Sequence, residues 1–409
     1  MSVRGSVFCR GCSKPLASPV LSLGKQPLSN KLPELSASGA DPVYPLEFRV
    51  CSECGLGQIG EYVSPHDIFD DYTYFSSTSA SWLEHAKSFA VDIAERLELG
   101  NNELVVEVAS NDGYLLQYFQ ELGCQVLGIE PAKNVALAAN KKGINTEISF
   151  FGEKVAQELI ERRLIPKLVV CNNVMAHVPD LNDFLSGLAL LINNGAIVSV
   201  EAPSMLVMLR DNLFDTIYHE HFSYLSATSV NFLATRHNIK LFDIEEISTH
   251  GGSYRFWIGP MESKQSSEVA KILNDEEQFG ILTDSVQLEF ARRSKEAIAN
   301  FAVWCRNQRK PLIGYGAAAK ATVLLNASGI STNEIVAIVD NSTSKQNRMV
   351  PGVRIPILEA KEVFSRSRGN LVIFPWNIAV EIAAQIKMEF PNFNGEVWIP
   401  LPGMKKIEN

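Results

Sequence analysis

Four of the seven cysteines stand in two Cys-x-x-Cys pairs, Cys9 with Cys12 and Cys51 with Cys54. Each pair closes a short polar turn, CRGC or CSEC, that sets two thiolates on one side of a tight loop, the donor arrangement of tetrahedral zinc. Four sulfur ligands leave no open coordination position, so such an ion would hold a small unit together and activate no water. The intervening residues 13–50 exceed the ribbon spacing of about 15 to 20, but their Pro, Ser and Gly content suits a stretch that loops out. Two surface thiol pairs are the plain alternative. An odd, sparse set of seven cysteines in 409 residues argues against a disulfide framework.

A second concentration of chemistry is DTIYHEHFSYLS, which gathers Tyr218, His219, Glu220 and His221. Read as an extended segment, it places His219 and His221 on one face with Glu220 turned away, a weak metal site. An imidazole with a reference pKa of about 6.5 is well matched to general-base work near neutrality, and the neighbouring Tyr and Glu can orient it. A surface or capping histidine pair is the bland reading. Farther on, HGGSYRFW supplies His250, Gly251, Gly252 and Arg255. That set suits wrapping backbone and guanidinium around a phosphate, or else a glycine turn between two strands.

The elements that must carry these groups follow from periodicity. Trp82–Leu97 is amphipathic and predicts a helix. Leu104–Val108 reads as a buried parallel strand, residues 111–113 as a turn, Tyr114–Leu122 as a helix and Gln125–Ile129 as the next strand, a βαβ unit. Glu107 sits inside the first strand, and Glu130, followed by Pro131, ends the second, where a carboxylate can accept ribose hydroxyls. The turn holds Ala109, Ser110, Asn111 and Gly113 in place of a three-glycine dinucleotide fingerprint. One glycine for the approach of a pyrophosphate disfavours NAD and suits a nucleoside cofactor without phosphate, such as S-adenosylmethionine, with Glu107 and the loop toward its charged methionine portion. A plain βαβ core accounts for the apolar strands equally well. Strands at Leu168–Cys171 and Ala196–Glu201 aim Asn172, Asn173, His177 and Glu201 at one crevice. Residues 263–308 read as helical, and GYGAAAKATVLLNASGI then opens a second Rossmann-like unit, with the following strand at Val336–Asn341. There Lys320 could meet a phosphate and Asp340 a ribose, or the unit serves only as a packing lobe.

Composition bounds the function. The chain is 46% hydrophobic and 20% charged, with 37 basic against 46 acidic residues and a net charge of -9. Its length predicts two to four domains, and its acidity disfavours nucleic acid or an anionic membrane as partner. Through residue 60, six basic side chains face four acidic ones, too weak a surplus for a nucleic-acid finger. With no apolar run near the roughly 20 residues of a membrane span and no apolar leader, a cytoplasmic protein is expected.

Taken in order, CRGC to CSEC, VEVASNDGYLL, NNVMAHVPD, DTIYHEHFSYLS, THGGSYRFW and GYGAAAKATVLLNASGI resemble, nearly end to end, the zinc-containing sugar C-methyltransferases that act on nucleotide-linked keto-deoxysugars. The resemblance implies an α/β chain with a small N-terminal zinc-binding domain (1–70), a central Rossmann-like S-adenosylmethionine-dependent methyltransferase domain (71–202) and a C-terminal Rossmann-like lobe with a helical segment (203–409). It implies His221 as base, with Tyr218, Glu220, His177 and Tyr74 around a 4-keto-deoxysugar methylated next to the ketone, at C3. The cofactor set is then Glu107, Ala109, Asn111, Gly113, Glu130, Pro131, Asn172 and Asn173, with Ala109 where the family usually has glycine. His250, Gly251, Arg255 and Lys320 are assigned to a nucleotide sugar of dTDP or GDP type, and a monomer is expected. The rivals are an NAD(P)-dependent oxidoreductase of nucleotide sugars, a zinc-dependent nucleic-acid methyltransferase and an assembly protein without chemistry.

Overall fold

A computed structural model describes residues 8–64, 75–366 and 369–407. The N-terminal unit is a small antiparallel sheet of β1 (Leu21–Pro27), β2 (Val43–Val50) and β3 (Gly57–Ile59). Its fourth strand comes from far along the chain, residues 223–224, directly after the histidine segment.

The central sheet is built on β4 (Leu104–Val108), β5 (Gln125–Ile129), β6 (Thr146–Glu147), β7 (Leu168–Asn172) and β8 (Ile197–Pro203), all parallel. Every residue of β4 and β7 is buried, as unbroken apolar runs covered on both faces require. The helix expected at Trp82–Leu97 spans Ala80–Arg96, with the Ser79 hydroxyl accepting from the Trp82 N–H at its N-terminus. The helix expected from Tyr114 begins only at Leu116, because the loop before it keeps left-handed backbone at Ala109 (φ 51), Asn111 (φ 50) and Gly113 (φ 78).

The strand at residues 223–224 is β9 (Ser223–Tyr224), which pairs with β3, Tyr224 opposite Gly57 and Ser223 opposite Gln58. The division at 202/203 does not follow the sheets. β10 (Lys240–Ile247) and β11 (Ser253–Gly259) form an antiparallel hairpin that completes the central sheet in the order β10-β11-β8-β7-β4-β5-β6. All seven residues of β11 are buried because it lies between β8 and β10. HGGSYRFW is thus the turn and inner strand of that hairpin, with Gly251 (φ 92) and Gly252 (φ 135) supplying backbone other residues avoid.

The helical stretch at 263–308 is two helices, Ser267–Phe279 and Asp284–Arg306, separated at Gly280, which is left-handed (φ 79). The C-terminal lobe follows on β12 (Leu312–Tyr315), β13 (Ile335–Val339), β14 (Arg348–Met349), β15 (Pro356–Leu358), β16 (Asn370–Ile373), β17 (Val397–Ile399) and β18 (Lys405–Ile407), in the order β14-β15-β13-β12-β16-β17-β18. The turn after β12 feeds the helix Ala319–Ser328, which packs on both β1 and the short turn Phe214–Thr216. The three units therefore meet around residues 213–222. Among the described residues no helix is long and apolar enough to cross a membrane.

Candidate active site

The histidine segment is a turn and not an extended strand: the His221 N–H donates to the Tyr218 carbonyl at 2.9 Å. The two imidazoles consequently diverge. His219 is buried against β2, with Nε2 bonded to the Pro45 carbonyl at 3.2 Å and its ring edge-on to Tyr44, and burial holds it below its ordinary pKa. His221 turns the other way. Its Nδ1 lies 2.9 Å from the Thr216 carbonyl and its Nε2 2.8 Å from the Tyr218 hydroxyl. A carbonyl can only accept, so Nδ1 carries the proton and Nε2 presents its lone pair to the Tyr218 O–H. The shared-face metal reading of His219 and His221 is thereby removed.

His177 stands edge-on to His221, ring centroids 4.7 Å apart, and its Nδ1 donates to the Glu220 carbonyl at 2.9 Å. Burial pushes the His177 pKa down to about 4, so it is neutral, with Nε2 as acceptor. Glu220 is only 4% exposed. Burial pushes its pKa up to about 7, opposed by the Asn30 side-chain amide, 2.6 Å away. Tyr218, Glu220, His221 and His177 are thus gathered in one cluster. Tyr74 lies outside the described residues.

Beyond the carboxyl ends of β4, β5 and β7 is the crevice in which open α/β sheets bind ligands. Glu107 is 1% exposed, and burial drives its pKa well up against the opposing effect of the Tyr114 hydroxyl beside it. Glu130 is buried and raised for the same reason, held in place by the N–H groups of Asn111 (2.9 Å) and Ala132 (2.8 Å). The Asn111 side chain accepts from the Ser76 N–H at 2.9 Å, tying the loop to the chain that enters the Ala80–Arg96 helix. The Asn172 side-chain amide oxygen is buried without a hydrogen-bond partner, and Asn173 turns the chain at β7's end with left-handed backbone (φ 56). At Gly113 a side chain would strike Ile144, its Cβ 2.9 Å from Cγ1. Two buried carboxyl groups that ionise most readily beside a cation, and a close-packed turn, suit a cationic, hydroxyl-bearing nucleoside such as S-adenosylmethionine better than a pyrophosphate.

The residues expected to hold a phosphate are disposed differently. Arg255 is 7% exposed, paired with Glu201 (2.9 Å) and Glu245 (3.0 Å) and stacked over Phe89. Its guanidinium neutralises two carboxylates and has no charge to offer a phosphate. Glu201, which also binds His85 at 2.9 Å, is closed into the same network; burial would raise its pKa, but His85 and Arg255 hold it below the ordinary carboxylate value. Lys320 is half-buried over the Trp376 ring (4.1 Å) and bonded to Asn377 (3.2 Å). Trp376 donates its indole N–H to Asp215 at 2.8 Å and packs on Gly251, where a Cβ would lie 2.7 Å from the ring. Lys320 and Gly251 therefore border the loop that carries His221. Asp340 accepts from the backbone of Ala317 and Ser342, bracing the glycine turn. The His250 side chain lies outside the described residues.

Sequence reasoning missed Thr216, whose carbonyl fixes the His221 tautomer, and Asn30, Asp215, His85 and Trp376. Asp215 and Thr216 stand inside the DTIYHEHFSYLS segment and His85 inside the helix expected at Trp82–Leu97, whereas Asn30 and Trp376 had no local signal.

The four cysteine sulfurs lie within 4.8 Å of one another, and all four residues are buried. Cys9 faces Cys54 at 3.5 Å and Cys12 faces Cys51 at 3.5 Å, close to the tetrahedron edge of about 3.8 Å that zinc–sulfur bonds of about 2.3 Å imply. Gln58 donates to Cys9 Sγ at 3.2 Å while accepting from the Arg10 N–H. The Cys54 thiol pulls Cys9 down to about 4, and the same contact drives Cys54 up. Four such sulfurs become thiolates together only around a cation. Among the described residues this is the one group of three or more Cys, His, Asp or Glu able to hold a metal.

Residues 82–243 match the family model of a methyltransferase domain, residues 9–69 that of a domain described as "Putative zinc binding domain", and residues 248–402 that of a C-methyltransferase C-terminal domain. The fold and site define an S-adenosylmethionine-dependent methyltransferase with a cysteine-bound zinc unit at its N-terminal side. The C-methyltransferase NovU of Streptomyces niveus is 32% identical over 405 residues, 98% of this chain and 96% of that protein. The chain belongs to the C-methyltransferase family. Similar solved structures include magnesium protoporphyrin IX methyltransferase of Synechocystis PCC 6803 with bound SAH (14% identity, 44% of this chain, 83% of that chain, TM-score 0.33). Another is an S-adenosylmethionine-dependent methyltransferase of Clostridium acetobutylicum ATCC 824 (10% identity, 44% of this chain, 92% of that chain, TM-score 0.34).

Proposed function

We propose that this C-methyltransferase acts on a nucleotide-linked 4-keto-deoxysugar of dTDP or GDP type, at C3, with His221 as general base. The observation that carries the reading is the His221 tautomer: the Thr216 carbonyl holds the proton on Nδ1, leaving Nε2 to take another. S-adenosylmethionine, when bound, supplies an electrophilic methyl on a sulfonium. Glu107, Ala109, Asn111, Gly113, Glu130, Pro131, Asn172 and Asn173 would hold it.

His221 Nε2 removes the proton from the carbon alpha to the ketone, making that carbon the nucleophile. The Tyr218 hydroxyl, already a donor at Nε2, is the donor at hand for the ketone oxygen as negative charge builds there. Neutral His177, with Nε2 an acceptor, suits a sugar hydroxyl, and buried Glu220 fixes His177 through its backbone carbonyl. Lys320, at the rim, is assigned to the nucleotide phosphates. Arg255 is not part of this assignment.

The test is incubation with isotopically labelled S-adenosylmethionine and a panel of nucleotide 4-keto-6-deoxysugars, with NMR to locate the new bond. A new carbon–carbon bond at C3 supports the reading; label on oxygen or nitrogen, or transfer to no ketosugar, overturns it.

A further inference from the structure

The loop between the two cysteine pairs carries a residue into the reactive cluster. Asn30 leaves the end of β1 and places its side-chain amide 2.6 Å from Glu220 Oε2. The loop around it is fixed along its length. Leu28 and Leu32 are buried. The Thr322 hydroxyl donates to the Ser29 carbonyl at 3.1 Å, Arg348 to the Leu32 carbonyl at 3.0 Å, and the Met349 N–H to the Pro33 carbonyl at 2.8 Å. Arg354 then grips Asp41 with two bonds, 2.8 and 2.7 Å, and reaches the Ala37 and Gly39 carbonyls. Asn30 thus sits on a segment clamped between the sheet of the metal unit and the C-terminal lobe.

We propose that Asn30 is a positioning residue: it holds the Glu220 side chain and favours its carboxylate form, so that the turn from Tyr218 to His221 keeps the geometry that proton abstraction needs. This deepens, and rests on, the function proposed above. Besides the Asn30 side chain, the groups that act on the Glu220 carboxyl are the Asn30 backbone N–H and Lys345 of the C-terminal lobe, whose charge also favours the carboxylate; His177 meets the Glu220 backbone carbonyl. Lys345 is itself paired with Asp340 at 3.6 Å. The short Asn30 amide is therefore the direct donor that a substitution can remove without altering charge on the C-terminal lobe.

Two variants separate positioning from folding. Asn30→Ala removes the donor; Asn30→Asp keeps the shape and replaces the donor with a second acceptor. Carboxyl carbon-13 NMR of glutamate-labelled full-length protein, with the Glu220 signal assigned by its loss in Glu220→Gln, reads the titration without any substrate. Loss of a hydrogen bond to a charged group raises the Glu220 pKa by about one unit, a tenfold change, with a larger rise in Asn30→Asp from like charge. In each variant the acid limb of the kcat profile moves to higher pH by as much as that variant's Glu220 titration does, while S-adenosylhomocysteine affinity stays at the wild-type value. An unmoved Glu220 titration in both variants overturns the proposal, as does a moved titration with an unmoved kcat profile. If wild-type protein methylates no ketosugar, the function proposed above fails by itself, and the NMR titration still decides whether Asn30 governs Glu220.

Discussion

Replacing His221 with glutamine tests the base assignment most directly. Glutamine keeps a hydrogen-bonding side chain of similar reach beside Tyr218 but has no nitrogen that takes a proton near neutrality. In the proposed mechanism the Thr216 carbonyl, 2.9 Å from Nδ1, would both select the reactive tautomer and steady the imidazolium formed when Nε2 takes a proton. Removing a positioned general base lowers rates by about 10²- to 10⁴-fold, or about 3 to 5 kcal/mol of barrier. The direct bond from Thr216 and the neighbouring Tyr218 argue for the upper part of that range. The assay is exchange of solvent deuterium into the carbon alpha to the ketone, with S-adenosylhomocysteine bound, followed by NMR. This isolates proton removal from methyl transfer. His221→Gln is expected to lose at least about 10²-fold in exchange and in turnover together, with S-adenosylhomocysteine binding unchanged by calorimetry. Exchange at the wild-type rate in this variant would refute the reasoning, whatever became of methyl transfer.

Other consequences follow from the buried groups. Burial raises Glu220 from an ordinary 4.5 to about 7, so the folded protein holds this proton more tightly than the unfolded chain. Its stability contribution is complete below pH 4.5 and is lost as pH rises to about 7. Glu220→Gln is therefore expected to gain about 3 kcal/mol over wild type at pH 8 and nothing at pH 4.5, by chemical denaturation; equal stability at pH 8 would contradict it. Glu107→Gln should weaken S-adenosylhomocysteine binding about tenfold and abolish the rise in affinity with pH expected while a raised carboxyl ionises beside the ligand's ammonium group, both measurable by calorimetry. Cys51→Ser should lower the zinc content found by atomic absorption and the midpoint of thermal unfolding, since three sulfurs no longer close the tetrahedron.

How much was legible in the sequence depended on whether the signal was local. β4 was found at its observed limits because a strand covered on both faces is a nearly unbroken apolar run, and β5 because Gly123 before it and Glu130-Pro131 after it bound a short apolar stretch. The cysteine pairs were legible because each places two ligands within one turn. The histidine segment stood out in the sequence, but its shape did not: whether four residues form a turn or a strand is decided by the Phe214–Thr216 turn before them and the pairing of β9 after them. Arg255 looked available because its partners, Glu201 and Glu245, come from neighbouring strands whose register is not written beside it. Asn30 was invisible for a similar reason, lying 190 positions from Glu220 in a stretch that looked like filler.

The pairing of β9 with β3 gives the N-terminal unit a part beyond its own integrity. Gln58, which touches a ligating sulfur, sits opposite Ser223, and Ser223 is two residues from His221. The nucleoside crevice hangs from another sheet altogether. Stripping the ion, or oxidising its thiolates, should therefore disarm the enzyme from the proton-abstracting side, leaving a protein that still captures its methyl donor yet cannot discharge it onto carbon.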